Sequence, residues 1–461
     1  MKIEPGTVLD VEIVDLAFGG SGVAKVEDFV IFVDGGITGQ RVRARIKKVK
    51  KRFAEAVAVE VLSRSKFEKI PDLQLVPGAP WITIPVEMQR EIKKKQTVDL
   101  YKKFVQFDLE TVWDEFVKSP QEFWYRNKMD FLFGIDADGN FALGSKKRGQ
   151  FQIVESLEKP CGLFDEFFEK LVPEIRKFCE KTKLPPLDEK SAGFFESLVV
   201  RRSCVENKFL VEIVTAGTDA KFDPKLLADF LSKKMGERFG GIFHTQKIRT
   251  DSRHTEQKST LILGSPKLRE VLGGLEFEIS RDSFFQPNPA AAAELYKKVV
   301  QFLDLKSGES VLDLFCGTGT IAQMVAKNFP NSRVIGVEIV ESAVEDAKKN
   351  AEKNEIKNVT FACADVRKWL KAHNFSCVGK ANRGTEVMVL DPPRAGIETK
   401  SLERIIERAP GKIIYVSCNP STQARDAKIL MAAGFRLEKF ALVDQFPHTA
   451  HVETVAQFVR A

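Results

Sequence analysis

Cysteine is sparse and scattered, with seven residues at positions 161, 179, 204, 316, 363, 377 and 418 and no CxxC pair among them. That spacing excludes a disulfide framework and a self-evident zinc site, because both need thiols grouped closely along the chain, so reduced thiols are expected. No apolar run is long enough to span a bilayer, and the pattern of a cleavable leader is missing. A cytoplasmic protein without a membrane partner is therefore expected. Internal repeats and low-complexity tracts are also absent. What is present is a chain of 461 residues, 43% hydrophobic and 29% charged, which is the composition of soluble globular domains. Its length exceeds one ordinary core and suggests about three domains, at roughly 100 to 200 residues each. The net charge of +7, from 71 basic and 64 acidic side chains, points only weakly to a polyanionic partner; where the charges lie matters more.

Residues 1–62 read as an OB-like β-barrel. Short alternating strands such as Val8-Leu9-Asp10-Val11-Glu12-Ile13 are joined by the glycine-rich turn Gly19-Gly20-Ser21-Gly22. In Arg41-Val42-Arg43-Ala44-Arg45-Ile46-Lys47 the period of two puts Arg41, Arg43, Arg45 and Lys47 on one face and the apolar residues on the other. No acid interrupts the basic residues between 41 and 52. This stripe is a candidate surface for RNA phosphates, which position a nucleic acid without reading its sequence. Residues 63–276 read as a mixed α+β central domain, with a helical stretch near 88–118 and strands near 129–133 and 198–201. A third domain is expected over 277–461, and from about 308 its pattern becomes regular α/β. Apolar strands at 310–315, 333–338, 359–363, 386–391 and 412–417 alternate with helical stretches, including 341–354 and 420–432, as in a doubly wound Rossmann-like sheet. Two last strands, near 436–443 and 452–459, follow without a helix between them and should pair antiparallel.

The first of these strands runs into Asp313-Leu314-Phe315-Cys316-Gly317-Thr318-Gly319-Thr320, and Glu338 ends the second. Gly317-x-Gly319-x-x-Ala322 also satisfies a relaxed dinucleotide fingerprint, so NAD and S-adenosylmethionine compete at this point. Asp313 would repel a pyrophosphate. With Asp365 after the third strand and Asp391 after the fourth, the carboxylates favour the methyl donor: Asp313 for its cationic methionine end, Glu338 for the ribose, Asp365 for the adenine amino group. Each could instead cap a helix N-terminus.

Asp391-Pro392-Pro393-Arg394 closes strand four with an arginine where amino-group methyltransferases commonly carry an aromatic for base stacking. The neighbouring strand ends in Ser417-Cys418-Asn419-Pro420, which places Cys418 at a strand tip and a helix N-terminus, a position that favours thiolate. A thiolate that adds to C6 of uridine makes C5 nucleophilic, and a base must then remove the C5 proton so that the cysteine can leave. Glu453, at the start of the last strand, is the candidate base. His448 and His451 in the preceding loop are read as possible RNA contacts, and no metal site is expected.

Together with Phe284-Phe285-Gln286-Pro287-Asn288 and His451-Val452-Glu453-Thr454-Val455, these motifs resemble the RNA 5-methyluridine methyltransferase family, whose members act on 23S ribosomal RNA uridines or on transfer RNA uridine-54. Phe18-Gly19-Gly20-Ser21-Gly22-Val23-Ala24 resembles the TRAM RNA-binding domain of the ribosomal branch, and Tyr125-Arg126-Asn127-Lys128 a segment of the central domain. The resemblance spans nearly the whole chain. It implies a class I methyltransferase domain over 277–461 using S-adenosylmethionine, with Gln286, Phe315, Thr320, Glu338, Asp365 and Asp391 at the donor alongside the Gly317 turn, Cys418 as nucleophile and Glu453 as base. It also implies a helix near 98–118 packed on the catalytic domain.

Two departures stand out. The family often has Asn at the position of Thr320, and some members have Asn at that of Asp365. Many ribosomal-branch members bind an iron-sulfur cluster through four cysteines, but here Val76 and Ala79 occupy two ligand positions and Cys161 alone matches a ligand. One thiol cannot hold a cluster, so none is expected and Cys161 should be a buried relic. The TRAM-like front end favours 23S rRNA over tRNA as partner, and a monomer is expected. Cytosine C5 methylation and a non-catalytic RNA-binding factor are the competing readings.

Overall fold

The computed structural model describes residues 3–188, 192–249, 255–283, 285–306, 308–373 and 386–460; Phe284 and Cys377 lie outside them. The amino-terminal strands β1 (Val8–Glu12), β2 (Asp15–Leu16), β3 (Gly22–Val26), β4 (Phe29–Asp34), β5 (Arg41–Val49) and β6 (Phe53–Ser63) form one sheet in the order β1-β5-β6-β4-β3-β2. It curls around a core that includes Ile13, Ile31, Val33, Val42, Ala44 and Ile46. The alternation read in β5 holds, with Val42, Ala44 and Ile46 buried and the four basic residues outward. At the glycine turn, Gly20 has φ of 93°, and a Cβ there would come within 2.8 Å of Ala450. Only glycine lets the barrel press this closely on the loop before Glu453.

The stretch near 88–118 corrects the sequence reading, which made it a single helix. The helix α1 (Val86–Phe104) ends early, and β7 (Trp113–Val117) joins the edge of the catalytic sheet, parallel to its neighbour. A sheet edge with free N–H and C=O groups captured a segment whose local pattern did not demand a strand. The central sheet runs β10-β9-β8-β11-β12-β13-β14, from β8 (Lys128–Ile135), β9 (Phe141–Lys147), β10 (Gln150–Ser156), β11 (Phe195–Ser203), β12 (Lys208–Ala216), β13 (Phe239–Arg249) and β14 (Thr255–Gly264). Helices α2 (Glu166–Glu180) and α3 (Pro224–Met235) cover one face, burying Phe168, Leu171, Leu227 and Leu231 against Phe131, Phe133, Val200 and Val211.

Cys161 lies in this core beside Val76 and Ala79. Its thiol donates to Glu169 Oε1 at 3.2 Å, and the backbone N–H groups of Cys161, Gly162, Leu163 and Phe164 donate to the same carboxylate at 2.7, 3.0, 3.2 and 2.8 Å. A fully buried carboxylate thus collects five donors. Glu169→Gln turns one acceptor oxygen into a donor facing N–H groups, and should cost about 3 kcal/mol of central-domain stability, measured by denaturant unfolding.

The carboxyl-terminal body begins with the hairpin β15 (Lys267–Leu272) and β16 (Leu275–Ser280), followed by α4 (Pro289–Leu303). Then come β17 (Ser310–Leu314), α5 (Thr320–Asn328), β18 (Val334–Glu338), α6 (Glu341–Lys353), β19 (Val359–Cys363), α7 (Val366–Ala372), β20 (Glu386–Leu390), α8 (Thr399–Arg408), β21 (Lys412–Ser417), α9 (Pro420–Ala432), β22 (Phe435–Val443) and β23 (Glu453–Arg460). The sheet order is β19-β18-β17-β20-β21-β23-β22-β7, and the first five strands are parallel. The last two strands pair antiparallel, and β23 inserts beside β21. Because β17 sits between β18 and β20, the strand order reverses there and opens a crevice at the carboxyl ends. The hairpin packs Leu272, Leu275 and Phe277 into the same core as α4 and β17, and position 276 lies within β16. We therefore propose that residues 86–117 and 267–280 belong with the catalytic body. No helix among the described residues is long and apolar enough to cross a membrane.

Candidate active site

After β17 the chain turns through Phe315, Gly317 and Gly319, all at positive φ (65°, 53° and 73°), before α5 begins. A Cβ on Gly319 would approach Phe361 to 2.5 Å and Ala347 to 2.9 Å, so the turn needs glycine there both for its conformation and for the close packing behind it. Behind this turn Glu338 Oε2 accepts from the Gly317 N–H at 3.1 Å, while Oε1 accepts from Ile339 and Val340. Asp313 is fully buried beneath it, and neither of its carboxylate oxygens has a hydrogen-bond partner. Burial, reinforced by Asp391 and Glu338, holds the Asp313 carboxyl well above the usual range. Asp365 caps α7, accepting from the Lys368 N–H at 2.9 Å.

A cavity of about 510 Å³ opens at the carboxyl ends of β17, β20 and β21, and Gln286, Phe315, Gly317, Thr320, Asp391, Cys418 and Glu453 all line it. Asp313, Glu338 and Asp365 do not reach its wall; they stand below and beside the glycine turn. The β21–β23 ladder explains how two distant residues meet. Ser417 pairs with Thr454, so the next step of the antiparallel register puts Cys418 opposite Glu453, with both side chains on one face. Asn419 caps α9 by accepting from the Ser421 N–H, which fixes the strand-to-helix corner that carries Cys418.

The electrostatics of the thiol differ from the sequence expectation. The helix N-terminus was expected to lower its pKa, but burial and the Glu453 and Asp391 carboxyls push it up to about 11, with Arg394 opposing them. Desolvation and two nearby acids outweigh a partial charge at the helix end. Burial and Asp391 push Glu453 up to about 8, and burial raises Asp391 to about 7. The site is therefore a cluster of acids sharing one nearby guanidinium.

Sequence reasoning missed Arg394, Tyr296 and Phe446, all of which line the cavity. Arg394 was visible as the residue after the two prolines, and Phe446 as part of the loop expected to fold over the pocket. The histidines divide. His448 is buried, packs its ring at a tilt against Phe123 with centroids 4.4 Å apart and is pushed down to about 4 by burial, so it is not an RNA contact, whereas His451 is exposed. The basic stripe is also uneven. Arg43 is paired with Asp10 at 3.0 Å and Glu60 at 2.6 Å, because its cross-strand neighbours on β1 and β6 are acids, so its charge is neutralised within the barrel. Arg41 is exposed; Lys47 lies 3.9 Å from Asp34; Arg45 lines a separate cleft of about 410 Å³ with Arg64, Lys147 and Arg148. Among the described residues, no group of three or more His, Cys, Asp or Glu could hold a metal ion.

Residues 252–460 match the tRNA (uracil-5-)-methyltransferase family, and residues 2–59 match the TRAM domain. An uncharacterized RNA methyltransferase of Caldanaerobacter subterraneus subsp. tengcongensis is 37% identical over 98% of both chains. Another, from Clostridium acetobutylicum, is 33% identical over 97% of this chain and 96% of its own. The chain belongs to the RNA uracil-C5 methyltransferase family. Among solved structures, this methyltransferase is similar to the Pyrococcus abyssi tRNA (uracil-54, C5)-methyltransferase in complex with S-adenosyl-L-homocysteine. That likeness has a TM-score of 0.72 and 26% identity, and covers 98% of this chain and all of the other. The methyltransferase uses S-adenosylmethionine, and its site fits that donor. The buried Asp313 carboxyl leaves two oxygens without hydrogen-bond partners under the glycine turn, and at Gly317 a Cβ would meet nothing within 4 Å, so space stands open above the turn.

Proposed function

We propose that this methyltransferase acts on C5 of a uridine in RNA through a covalent bond between Cys418 Sγ and uracil C6. The observation that carries this reading is the register-set opposition of Cys418 and Glu453 across one cavity. Gln286, Phe315, Gly317, Thr320 and Asp391 would hold the donor at the wall, with Asp313, Glu338 and Asp365 behind it. S-adenosylmethionine supplies the methyl group as an electrophile. Cys418 adds as thiolate to C6 and moves electron density to C5; Arg394, beside the thiol, favours the charged form. Once C5 carries its new methyl, Glu453 takes the C5 proton, the C5–C6 double bond reforms and Cys418 departs. With its carboxyl pushed up to about 8, Glu453 is mostly protonated at neutral pH, and its ionised fraction, which grows as pH rises, is the stronger base that takes the C5 proton.

RNA carrying 5-fluorouridine tests the covalent step, because fluorine cannot leave as a proton. With methyl donor present, wild-type protein should form an adduct on Cys418 that survives denaturation; its absence, together with no methyl incorporation, would refute the reading. For the substrate, the amino-terminal barrel motivates 23S rRNA, with Arg41, Arg45 and Lys47 as candidate phosphate contacts. The likeness to the P. abyssi enzyme motivates uridine-54 of tRNA. Mapping 5-methyluridine in both RNAs from cells lacking the gene separates the two, since only the true target loses its mark.

A further inference from the structure

The loop from Asp444 to Val452 carries Phe446 into the cavity and delivers Glu453 to β23, and successive carbonyls in it are held from other parts of the chain. The Gln445 carbonyl accepts from Asn288 Nδ2 at 3.1 Å, that of Phe446 from Lys93 Nζ at 3.1 Å, that of Pro447 from Tyr125 Oη at 3.0 Å and that of His448 from the Trp81 N–H at 2.9 Å. Loop backbone that makes no ladder bonds must find partners elsewhere when buried. Four in a row, from four separate segments, define the loop's shape.

Helix α1 supplies the strongest of these anchors. Lys93 Nζ lies 2.7 Å from Asp444 Oδ1 with both side chains fully buried, and Arg90 Nε reaches Asp444 Oδ2 at 3.2 Å. One turn earlier, Gln89 Oε1 accepts from the His448 N–H at 2.8 Å. A buried ion pair is a weak source of net stability, because desolvation offsets most of the attraction, but it is directional. Lys93 joins two points two residues apart in the loop, so it constrains the loop itself. Docking of α1 has a separate device at its other end, where Tyr101 Oη donates to Gln423 Oε1 of α9 at 2.9 Å.

We infer that Lys93 is a positioning residue for methyl transfer: through Asp444 and the Phe446 carbonyl it fixes the loop that sets Phe446 and Glu453 against Cys418. Lys93 does not line the cavity, so its influence passes through the loop. The inference rests on the roles proposed above for Cys418 and Glu453.

The test uses the full chain with Lys93→Met and with Lys93→Met/Asp444→Asn. The single variant leaves a buried carboxylate short of one partner and should lose stability. The double variant removes both charges and leaves Arg90 paired with Glu87 and Glu122, so its melting temperature should recover most of that loss. Both are assayed where circular dichroism shows them fully folded. Turnover on RNA should fall between about tenfold and a hundredfold in both, while KM for RNA and for S-adenosylmethionine changes less than about twofold. A Cys418 adduct with ordinary uridine RNA should accumulate, because release depends on Glu453. A folded double variant that turns over at the wild-type rate overturns the inference. If instead wild-type protein forms no adduct with 5-fluorouridine RNA, the covalent reading fails, and the loss of turnover still reports on Lys93.

Discussion

Cys418→Ala should abolish methylation of RNA, with a loss on the order of 10⁴-fold or more in single-turnover rate, and should eliminate the 5-fluorouridine adduct entirely. Uracil C5 is a poor nucleophile, and without addition at C6 nothing in the cavity raises its electron density. The substitution removes one sulfur atom from a half-buried strand tip, so donor binding and melting temperature should stay close to wild type. An adduct that persists in this variant, mapped by mass spectrometry to another cysteine, would sink the assignment. The wild-type pH profile offers a second check. With the thiol pushed up to about 11, thiolate is scarce at neutral pH and increases as pH rises. The rate of adduct formation should therefore climb by up to about tenfold per pH unit through the neutral range. A flat profile would mean that RNA binding alone relieves the burial and acidic surroundings of the thiol.

Glu453→Gln should behave in the opposite way, forming the adduct with ordinary uridine RNA and failing to resolve it. Turnover is expected to drop by about 10²- to 10⁴-fold, the range over which a positioned base contributes. Denaturing gels should show protein bound to RNA whose C5 already carries the methyl group. The same substitution has a stability signature. In the folded chain Glu453 keeps its proton up to about pH 8, against 4.5 for an ordinary glutamate. Between those values the folded state binds more protons than the unfolded one, so this residue lowers stability progressively as pH rises, by at most about 1.4 kcal/mol per pH unit. Glu453→Gln removes that dependence. Relative to wild type, its melting temperature should rise with pH through this window and match wild type below it. A variant that turned over normally while showing the stability gain would identify Glu453 as a buried acid without a chemical role.

Much of this site was legible because it depends on local chemistry. The glycine turn after β17, the Asp391-Pro392-Pro393-Arg394 corner and Cys418 at the end of β21 each follow from a strand giving way to a helix within a few residues. Other features depend on which strands become neighbours. Arg43 looked like a free cation until β1 and β6 brought Asp10 and Glu60 to its sides. Residues 113–117 read as helix because no local pattern announces that a distant sheet edge will need a partner. His448 looked like a loop residue open to RNA, yet it is enclosed by Phe123 and Gln89 from other segments.

The sequence by itself determined the chemistry available, namely the Cys418 thiol between a strand and a helix, one late glutamate and a carboxylate-rich glycine turn, because residue type and local periodicity are properties of short stretches. Only the tertiary structure decided how those groups act on one another. The insertion of β23 beside β21 opposes Cys418 and Glu453, and the enclosure of the cavity raises both their pKa values instead of lowering that of the thiol. Desolvation depends on everything that surrounds a group, and those surroundings are drawn from separate stretches of the chain, from Leu272 to Glu453.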